Sequence, residues 1–336
     1  MISNEFSPLR RRLLFGAAAM PVAALSFPQA FPQAHAADIY PSRPITFICP
    51  WPAGGSADLT MRVLAQQVSQ ALGQPVVFEN RAGAAGMIGA KALSAAKPDG
   101  YTIGQIPLSV TRFAQLGTIS FDPLKDFTYL ARTSGQTFGI VVRTESSFKT
   151  LADLVAYAKA NPGKLNYATS GIAGATHVGT EEFCMAAGIK LNHVPYKGGA
   201  PALTDLLGGQ VDLLADSSAW APYVEQGRLR LLVTWGAERP RRFANAPTLK
   251  ELGYNIVNDA PNGVGAPAGL DPQVAVRLGD ALRRAVLSPE FRQACDKIDA
   301  AVLYQGAEDY RKFVFDSYAR ETRLIEKLKL KEQLTS

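Results

Sequence analysis

From residue 45 onward, apolar and polar positions alternate between a strand period and a helix period. Residues 45–50, ITFICP, are a short apolar run rich in β-branched residues, which predicts a buried strand. A helical spacing follows Asp58 and ends at Gly73 and Pro75; its apolar positions are Leu59, Val63, Leu64, Val68 and Leu72. Residues 76–80, VVFEN, return to the strand pattern. The order predicts a βαβ unit.

A second series with the same order begins near residue 165. Strand-like runs stand at 165–170, 191–196, 211–216 and 229–235, with helical patterns between them. The last third carries two long helical patterns, at 271–288 and 308–328. Strands that alternate with helices predict parallel sheets covered by helices on both faces. We therefore expect two α/β domains.

The length and composition fit this expectation. The chain has 336 residues, of which 47% are hydrophobic and 19% charged, enough for two cores of ordinary size. The net charge is +6, but without residues 1–36 it falls to 32 basic against 28 acidic residues. Residues 239–242, RPRR, are interrupted by proline and predict a solvated loop. We expect no nucleic-acid partner.

The first 36 residues have the pattern of an export signal. Arg10, Arg11 and Arg12 precede an apolar stretch, and AHA at 34–36 supplies the small residues that signal peptidase requires. The stretch is shorter than the roughly 20 residues that span a bilayer, which argues against the alternative of an uncleaved anchor. RRRLL also resembles a twin-arginine signal, and an ordinary signal with arginines in its first part is equally compatible. We expect cleavage near Ala36 and a periplasmic location.

Cysteine spacing indicates no metal site. Cys49, Cys184 and Cys295 each stand in an apolar setting without CxxC spacing. We interpret them as buried free thiols, with one disulfide as the alternative in an oxidising compartment.

Two glycine loops follow predicted strands and lead into predicted helices, at 52–58 and 170–177. Ligands of open parallel sheets bind beyond the carboxyl ends of strands, and a helix start offers unpaired N–H groups and partial positive charge to an anion. Neither loop has the spacing of a P-loop or of a dinucleotide fingerprint. A nucleophile elbow would require glycine where Asp58 stands, although a hydrolase with Ser56 or Ser170 as nucleophile and His177 as base stays open.

Each loop residue also has a purely structural interpretation. Ser56 as helix N-cap, with Asp58 complementing the helix dipole, would stabilise the fold without a function. His177 is either a hydrogen-bonding residue of the cleft or a core histidine. His177 and Glu181 lack a third metal ligand nearby, so no metal is expected.

Other candidates stand at the ends of predicted strands. Asp216 ends an apolar strand, where a buried carboxylate requires hydrogen bonds and would accept them from an ammonium, a hydroxyl or water. Its alternative role is capping of the next turn. Tyr196 and Lys197 close the neighbouring strand, and Trp51 is either a pocket wall or ordinary core.

Eight segments in order resemble a known family. They are YPSRPITFICPWPAGGSADLTMRVLAQQV, GQPVVFENRAGAAGMIGA, KPDGYTIG, LNYATSGIAGATHVGTEEF, HVPYKGGAPALTDLLGGQVDLLAD, GRLRLLVT, APTLKELGY and GAPAGLDPQVAVRL. The chain from about Tyr40 onward is similar to the extracytoplasmic solute receptors of the tripartite tricarboxylate transporter family, also called Bug receptors.

The resemblance implies a fold and a function. The fold is α/β, a type II periplasmic binding protein whose two α/β lobes enclose a ligand cleft: residues 37–140 and 259–336 form lobe 1, and residues 141–258 form lobe 2. The function is capture of a small carboxylate by lobe closure and delivery to a cognate two-component membrane permease. The ligand classes are di- and tricarboxylates, acidic amino acids and aromatic acids. We expect a monomer without cofactor, metal or catalytic residue.

In this family the loops that match residues 52–56 and 170–177 hold one carboxylate through backbone amides and bridging waters, and the position of Asp216 helps to select the ligand's other end. The predicted ligand-binding residues are Trp51, Pro52, Ala53, Gly54, Gly55, Ser56, Asp58, Ser170, Gly171, Gly174, Ala175, Thr176, His177, Tyr196, Lys197, Asp216 and Ser217.

The chain departs from the family pattern in two places. Ser217 and Ser218 follow Asp216 where the family commonly has asparagine, and Asn262 stands where it often has tryptophan. These positions would set the specificity of the distal end of the pocket. Besides transport, a secreted hydrolase and a ligand sensor that feeds a signalling protein remain alternatives.

Overall fold

The computed structural model describes residues 40–258 and 260–335. The predicted export signal, residues 1–36, lies outside the described residues. In chain order the strands are β1 (Ile45–Cys49), β2 (Val76–Asn80), β3 (Thr102–Gln105), β4 (Phe127–Gln136), β5 (Phe138–Arg143), β6 (Asn166–Thr169), β7 (Asn192–Pro195), β8 (Leu213–Ser217), β9 (Leu229–Thr234), β10 (Ala260–Pro267) and β11 (Ala300–Gln305).

The helices connect these strands and include every helix that the periodicity predicts. In chain order they are α1 (Ser56–Leu72), α2 (Met87–Ser94), α3 (Val110–Gln115), α4 (Leu151–Ala160), α5 (Ala175–Ala187), α6 (Gly199–Leu207), α7 (Ala221–Glu225), α8 (Pro272–Val286), α9 (Pro289–Asp296), α10 (Ala307–Lys327) and α11 (Leu330–Thr335). Gly73 and Gly188 end α1 and α5 in the left-handed conformation, which glycine adopts without steric cost.

The strands form two sheets. The first has the order β11-β4-β10-β3-β1-β2, and the second has the order β7-β6-β8-β5-β9. Parallel pairing joins β1 to β2 and β3, and β6 to β7 and β8, as the two predicted βαβ series require. This is the two-lobed α/β architecture that the sequence predicts.

The prediction of purely parallel sheets is wrong, because each sheet is mixed. β10 runs antiparallel to β3 and β4, and β5 runs antiparallel to β8 and β9. β4 ends at Gln136 in the first sheet, β5 starts at Phe138 in the second, and β10 returns to the first. The strands on which the chain crosses between the sheets, β4, β5 and β10, thus make antiparallel pairs, and β11 adds another antiparallel pair with β4. The predicted lobe boundaries stay a prediction. Strand β5 begins at Phe138, before the predicted boundary between residues 140 and 141.

Each sheet packs its own apolar core. In the first, Phe47 of β1 packs with Met61 and Leu64 of α1 and with residues of α8 and α9. In the second, Tyr167 of β6 packs with Phe183 of α5 and with residues of α4. The three cysteines are buried and free, so the interpretation as thiols is confirmed. Within the described ranges, no helix has the length and apolar character needed to cross a membrane.

Candidate functional site

Helix starts from both sheets border one cavity of about 400 Å³. α1 follows β1 of the first sheet, and α5 follows β6 of the second. The end of β8, residues of β10 and one side of α10 complete the wall. The predicted site residues that line the cavity are Trp51, Pro52, Gly55, Ser56, Ser170, Ala175, Thr176, Asp216 and Ser217.

The start of α1 lies at the cavity wall, where Gly55, Ser56 and Ala57 line the cavity. Gly55 is the N-cap residue, with φ −75° and ψ 162°, and the Leu59 N–H makes the first helical bond, to the Gly55 carbonyl at 3.0 Å. The amides of residues 56–58 precede that bond, so the helix itself offers them no acceptor. Because Gly55 already adopts the extended conformation of a cap, the prediction of Ser56 as N-cap is wrong. The Ser56 hydroxyl instead donates to Gln136 Oε1 at 3.0 Å and hydrogen-bonds Ser217.

Asp58 supports this loop from below. Its carboxylate accepts hydrogen bonds from the Gly54 N–H (3.0 Å), from Arg62 (2.7 Å) and from Asn80 (2.8 Å). Asp58 is buried and, like Ala53 and Gly54, does not line the cavity. Its contacts are those of a residue that holds the loop.

The start of α5 repeats the arrangement from the other sheet. Gly174 is its N-cap residue, with φ −67° and ψ 169°, and the first helical bond joins the Val178 N–H to the Gly174 carbonyl at 3.0 Å. Ser170 and Thr176 are buried in the cavity wall and their hydroxyls lie 3.1 Å apart. This wall therefore combines unpaired helix amides with two hydroxyl groups.

Buried His177 and half-buried His193 stack behind the α5 loop. His177 Nδ1 accepts a hydrogen bond from the Ala173 N–H at 3.1 Å, and the His177 ring stacks on His193 with ring centroids 4.0 Å apart. Burial lowers the pKa of His177 to about 4, with the positive charge of Arg112 as a second cause, and burial together with His177 lowers the pKa of His193 to about 3. His177, like Gly171 and Gly174, does not line the cavity. Of its two interpretations, these contacts fit the core histidine.

Arg112 of α3 is a residue that the sequence analysis missed. Its guanidinium forms a two-bonded ion pair with Glu321 of α10, both bonds 2.7 Å long, and donates to the Ala173 carbonyl at 2.9 Å. The Arg112 side chain is 5% exposed and that of Glu321 is 12% exposed. Ala173 has φ +56°, a conformation that non-glycine residues seldom adopt, so Arg112 and His177 together fix a strained turn. No local motif marks Arg112, because Glu321 stands 209 positions away.

Asp216 reaches the cavity from the end of β8. One carboxylate oxygen accepts from the Ser217 N–H at 2.7 Å, whereas the other has no partner among the described residues. A Cβ on Gly199 would lie 2.1 Å from that second oxygen, so glycine at the start of α6 is what allows the carboxylate in. Burial raises the pKa of Asp216 to about 7, while the hydrogen bonds from Ser217 act in the opposite direction.

Tyr196 and Lys197 do not border the cavity. The Tyr196 hydroxyl donates to Asp205 of α6 at 2.6 Å, and Lys197 is exposed. Asn262 does line the cavity: its side chain accepts from Gln105 at 2.7 Å and donates to Ser134 at 3.0 Å. The distal wall at this position is therefore a paired amide.

Residues 60–330 match the family described as tripartite tricarboxylate transporter family receptor. The chain belongs to this receptor family. A relative from Cupriavidus necator, described as UPF0065 protein in gbd 5'region, is 44% identical over 301 residues, which cover 90% of this chain and 92% of the relative.

Solved structures agree with this membership. The periplasmic binding protein BugD superposes with a TM-score of 0.82 at 28% identity, over 87% of this receptor and 99% of BugD. An R. palustris protein whose structure holds adipate gives the same TM-score and identity, over 86% of this receptor and 98% of that chain. Both the family and these neighbours are solute-binding proteins.

The nucleophile and base of the hydrolase alternative are not brought together in this receptor. Among the residues described, neither the Ser56 nor the Ser170 hydroxyl is hydrogen-bonded to a histidine. His177 uses Nδ1 to accept from a backbone amide and lies behind the loop. Glu181, which stands one helical turn after His177, accepts a hydrogen bond from the Tyr167 hydroxyl. Within 40–258 and 260–335, no three His, Cys, Asp or Glu side chains are grouped as metal ligands.

Proposed function

We propose that this protein is a periplasmic receptor that captures a small carboxylate between its two lobes, closes over it and delivers it to a two-component membrane permease. Lobe 1 comprises residues 37–140 and 259–336, and lobe 2 comprises residues 141–258. The family membership and the adipate-containing neighbour support the ligand class.

One observation carries the proposal: two helix starts, one from each sheet, border the same cavity. Each offers amides that its own helix leaves unpaired, together with the positive end of a helix dipole. An anion between α1 and α5 would accept hydrogen bonds from both, and no lysine or arginine is required for this carboxylate. We assign the amides near Ser56 and Ala175 as its donors.

Side chains around these amides supply further donors. Ser170, Thr176 and Ser217 carry hydroxyl groups, and the Gln136 amide nitrogen is buried without a partner among the described residues. Gln136 already accepts from Ser56 through its oxygen, so its nitrogen is left to donate. The unpaired Asp216 oxygen would accept from a hydroxyl or ammonium group of the ligand.

Closure follows from the two-sided site. A ligand shifts an open form toward a closed one only as far as it binds the closed form better. Because one set of amides belongs to each lobe, a carboxylate makes its full set of contacts only when the lobes are together. The hydrogen bond between Ser56 and Ser217 already joins the two sides.

Thermal unfolding of residues 37–336 tests the ligand class. The panel contains mono-, di- and tricarboxylates, acidic amino acids, aromatic acids, sugars and nucleotides. A ligand at 100 times its Kd adds about 2.7 kcal/mol, which raises the midpoint by a few degrees. We expect an increase confined to carboxylates. An increase with sugars or nucleotides alone would contradict the proposal.

Delivery is tested with the permease reconstituted in vesicles. We expect uptake of the carboxylate only when the loaded receptor is present. Loaded receptor that supports no uptake, yet binds the outer domain of a signalling protein, would favour the sensor alternative.

A further inference from the structure

Helix α10 presents one face to the cavity. Its lining residues are Phe313, Ser317, Arg320, Glu321 and Leu324, which share one side of the helix because they are three or four positions apart. The sequence pattern predicts only a terminal helix for this segment. In the fold it forms one wall of the cavity and contacts α5.

The position of this wall is fixed by contacts to both sheets' helices. Besides the Arg112–Glu321 ion pair, the Gln115 amide donates to the Tyr318 carbonyl at 2.7 Å. At its far end α10 reaches α5, where Lys327 pairs with Glu182 at 2.7 Å and Val178 packs with Ile325. Side chains on this face therefore stand at defined positions relative to the α5 amides.

One cation on this wall lacks an acidic partner. The charged residues that line the cavity are Arg112, Asp216, Arg320 and Glu321. Arg112 and Glu321 neutralise each other. Arg320 makes no ion pair within the described part of the chain; it donates to the Ser317 hydroxyl at 2.7 Å, and Ser317 donates to the Phe313 carbonyl. Ser317 is buried and Arg320 is exposed, and the Arg320 guanidinium lies over the Phe313 ring, 5.8 Å from the ring centroid.

We propose that Arg320 binds a second anionic group of the ligand, whose first carboxylate is held by the α1 and α5 amides. The inference rests on the proposed function. Phe313, Leu324 and Leu108 add apolar surface to the same cavity wall. The ligand class is therefore an organic diacid, and the hydroxyl or ammonium group proposed for Asp216 would stand on the chain between its two acids. The cavity volume of about 400 Å³ falls within the range of roughly 300–1,000 Å³ that is typical of small-molecule sites. The cavity therefore has room for a chain that joins two acidic groups.

Isothermal titration calorimetry with linear diacids and the monoacids of equal chain length tests this assignment. Adipate and hexanoate form one such pair, since they differ only in the second carboxylate. We expect the unaltered protein to bind at least one diacid more tightly than its monoacid. For that diacid, R320A should weaken binding about tenfold, the effect of losing one charge-assisted hydrogen bond, and R320K should recover part of the loss.

The matched control is R323A, which removes an exposed arginine of the same helix that does not line the cavity. We expect it to leave both affinities within about twofold, and R320A to leave the monoacid affinity within the same limit. Equal binding of diacid and monoacid, or an equal loss for both in R320A, would overturn the assignment of Arg320 alone. A protein that binds neither acid would overturn the proposed function as well.

Discussion

The two glycine loops of the cavity are alike in backbone and different in support. Gly55 before α1 and Gly174 before α5 have nearly the same dihedral angles, and neither helix has a side-chain cap. The α1 loop is held by Asp58, which lies in the first turn of its own helix. The α5 loop is held by Arg112 of α3 and by His177 from behind.

The difference shows that the same loop conformation at a helix start can depend on contacts within its own helix or on contacts from distant residues. A loop held by its own helix forms with that helix. A loop held by a buried arginine on another element depends on correct tertiary packing, and a loop held by a neutral histidine depends on pH. Three substitutions separate these dependences.

Loss of Arg112 should have the largest effect. R112M leaves Glu321 largely buried without its partner, so we expect the free energy of unfolding to fall by about 3–5 kcal/mol in urea denaturation. Amide hydrogen exchange should accelerate at residues 171–178 and stay unchanged at residues 54–59.

The control for charge burial is the double variant R112M/E321L. It removes both charges, so it should regain most of the stability. Fast exchange at residues 171–178 should persist, since the Ala173 carbonyl still lacks its donor. Recovery of slow exchange in the double variant would show that Arg112 does not support the loop.

Loss of the titrating side chain of His177 should have the second-largest effect. Its pKa is about 4 in the fold against 6.5 for an ordinary histidine, so below pH 6.5 the unfolded chain binds the proton and the folded chain does not. Titration of His177 therefore lowers the free energy of unfolding as the pH falls from 6.5 toward 4, by about 3 kcal/mol in total, and has no such effect above pH 6.5.

H177N isolates this contribution, because asparagine can accept from the Ala173 N–H but does not titrate. Urea denaturation at pH 7, 5.5 and 4 should show the unaltered protein losing about 3 kcal/mol more than H177N. Asp216 and Asp299, whose pKa values are raised by burial, act in both proteins and cancel in the difference. His193, whose pKa is lowered mainly by burial, also titrates in both proteins, and the part of its shift that His177 causes belongs to the measured difference. Parallel pH profiles would contradict the assigned role of His177.

Loss of Asp58 should have the smallest effect. D58A removes the acceptor for the Gly54 N–H and for Arg62, and we expect a loss of about 2 kcal/mol in stability with faster exchange only at residues 54–59. The control is D316A on α10, which removes an exposed partner of Lys312 at the same helical spacing and should cost less than about 0.5 kcal/mol. Equal losses would show that Asp58 contributes only a surface ion pair.

Sequence periodicity predicts the local part of this structure well. β1, α1 and β2 stand where the patterns place them, and β6, α5, β7, α6 and β8 follow the second series. The two helix starts at the cavity could be anticipated because a glycine loop between a strand and a helix is a local signal. The family resemblance assigned the loops to one ligand, and both loops do border one cavity.

What depends on contacts between distant residues could not be predicted in this way. Arg112 and Glu321 lie on separate helices, and nothing near either residue signals the other. β10, APNGVGAP, is rich in glycine and proline and lacks a strand pattern; it is a strand because β3 and β4 pair with it on both sides. The distinction between Asp58 as support and Asp216 as cavity wall likewise required the tertiary structure.

The central claim is that backbone amides at the starts of α1 and α5 bind the carboxylate. Removing one of these amides tests it most directly. A175P deletes the N–H of the first residue of α5, where proline fits a helix, and Gly174 already has the extended conformation that a residue before proline prefers. A307P makes the same change at the first residue of α10, after Gly306 with φ −68° and ψ 178°, away from the cavity. Calorimetric titration with the tightest-binding carboxylate should show A175P weakened about tenfold and A307P within about twofold of the unaltered protein. Unchanged affinity in A175P, with an unchanged melting temperature, would contradict the account.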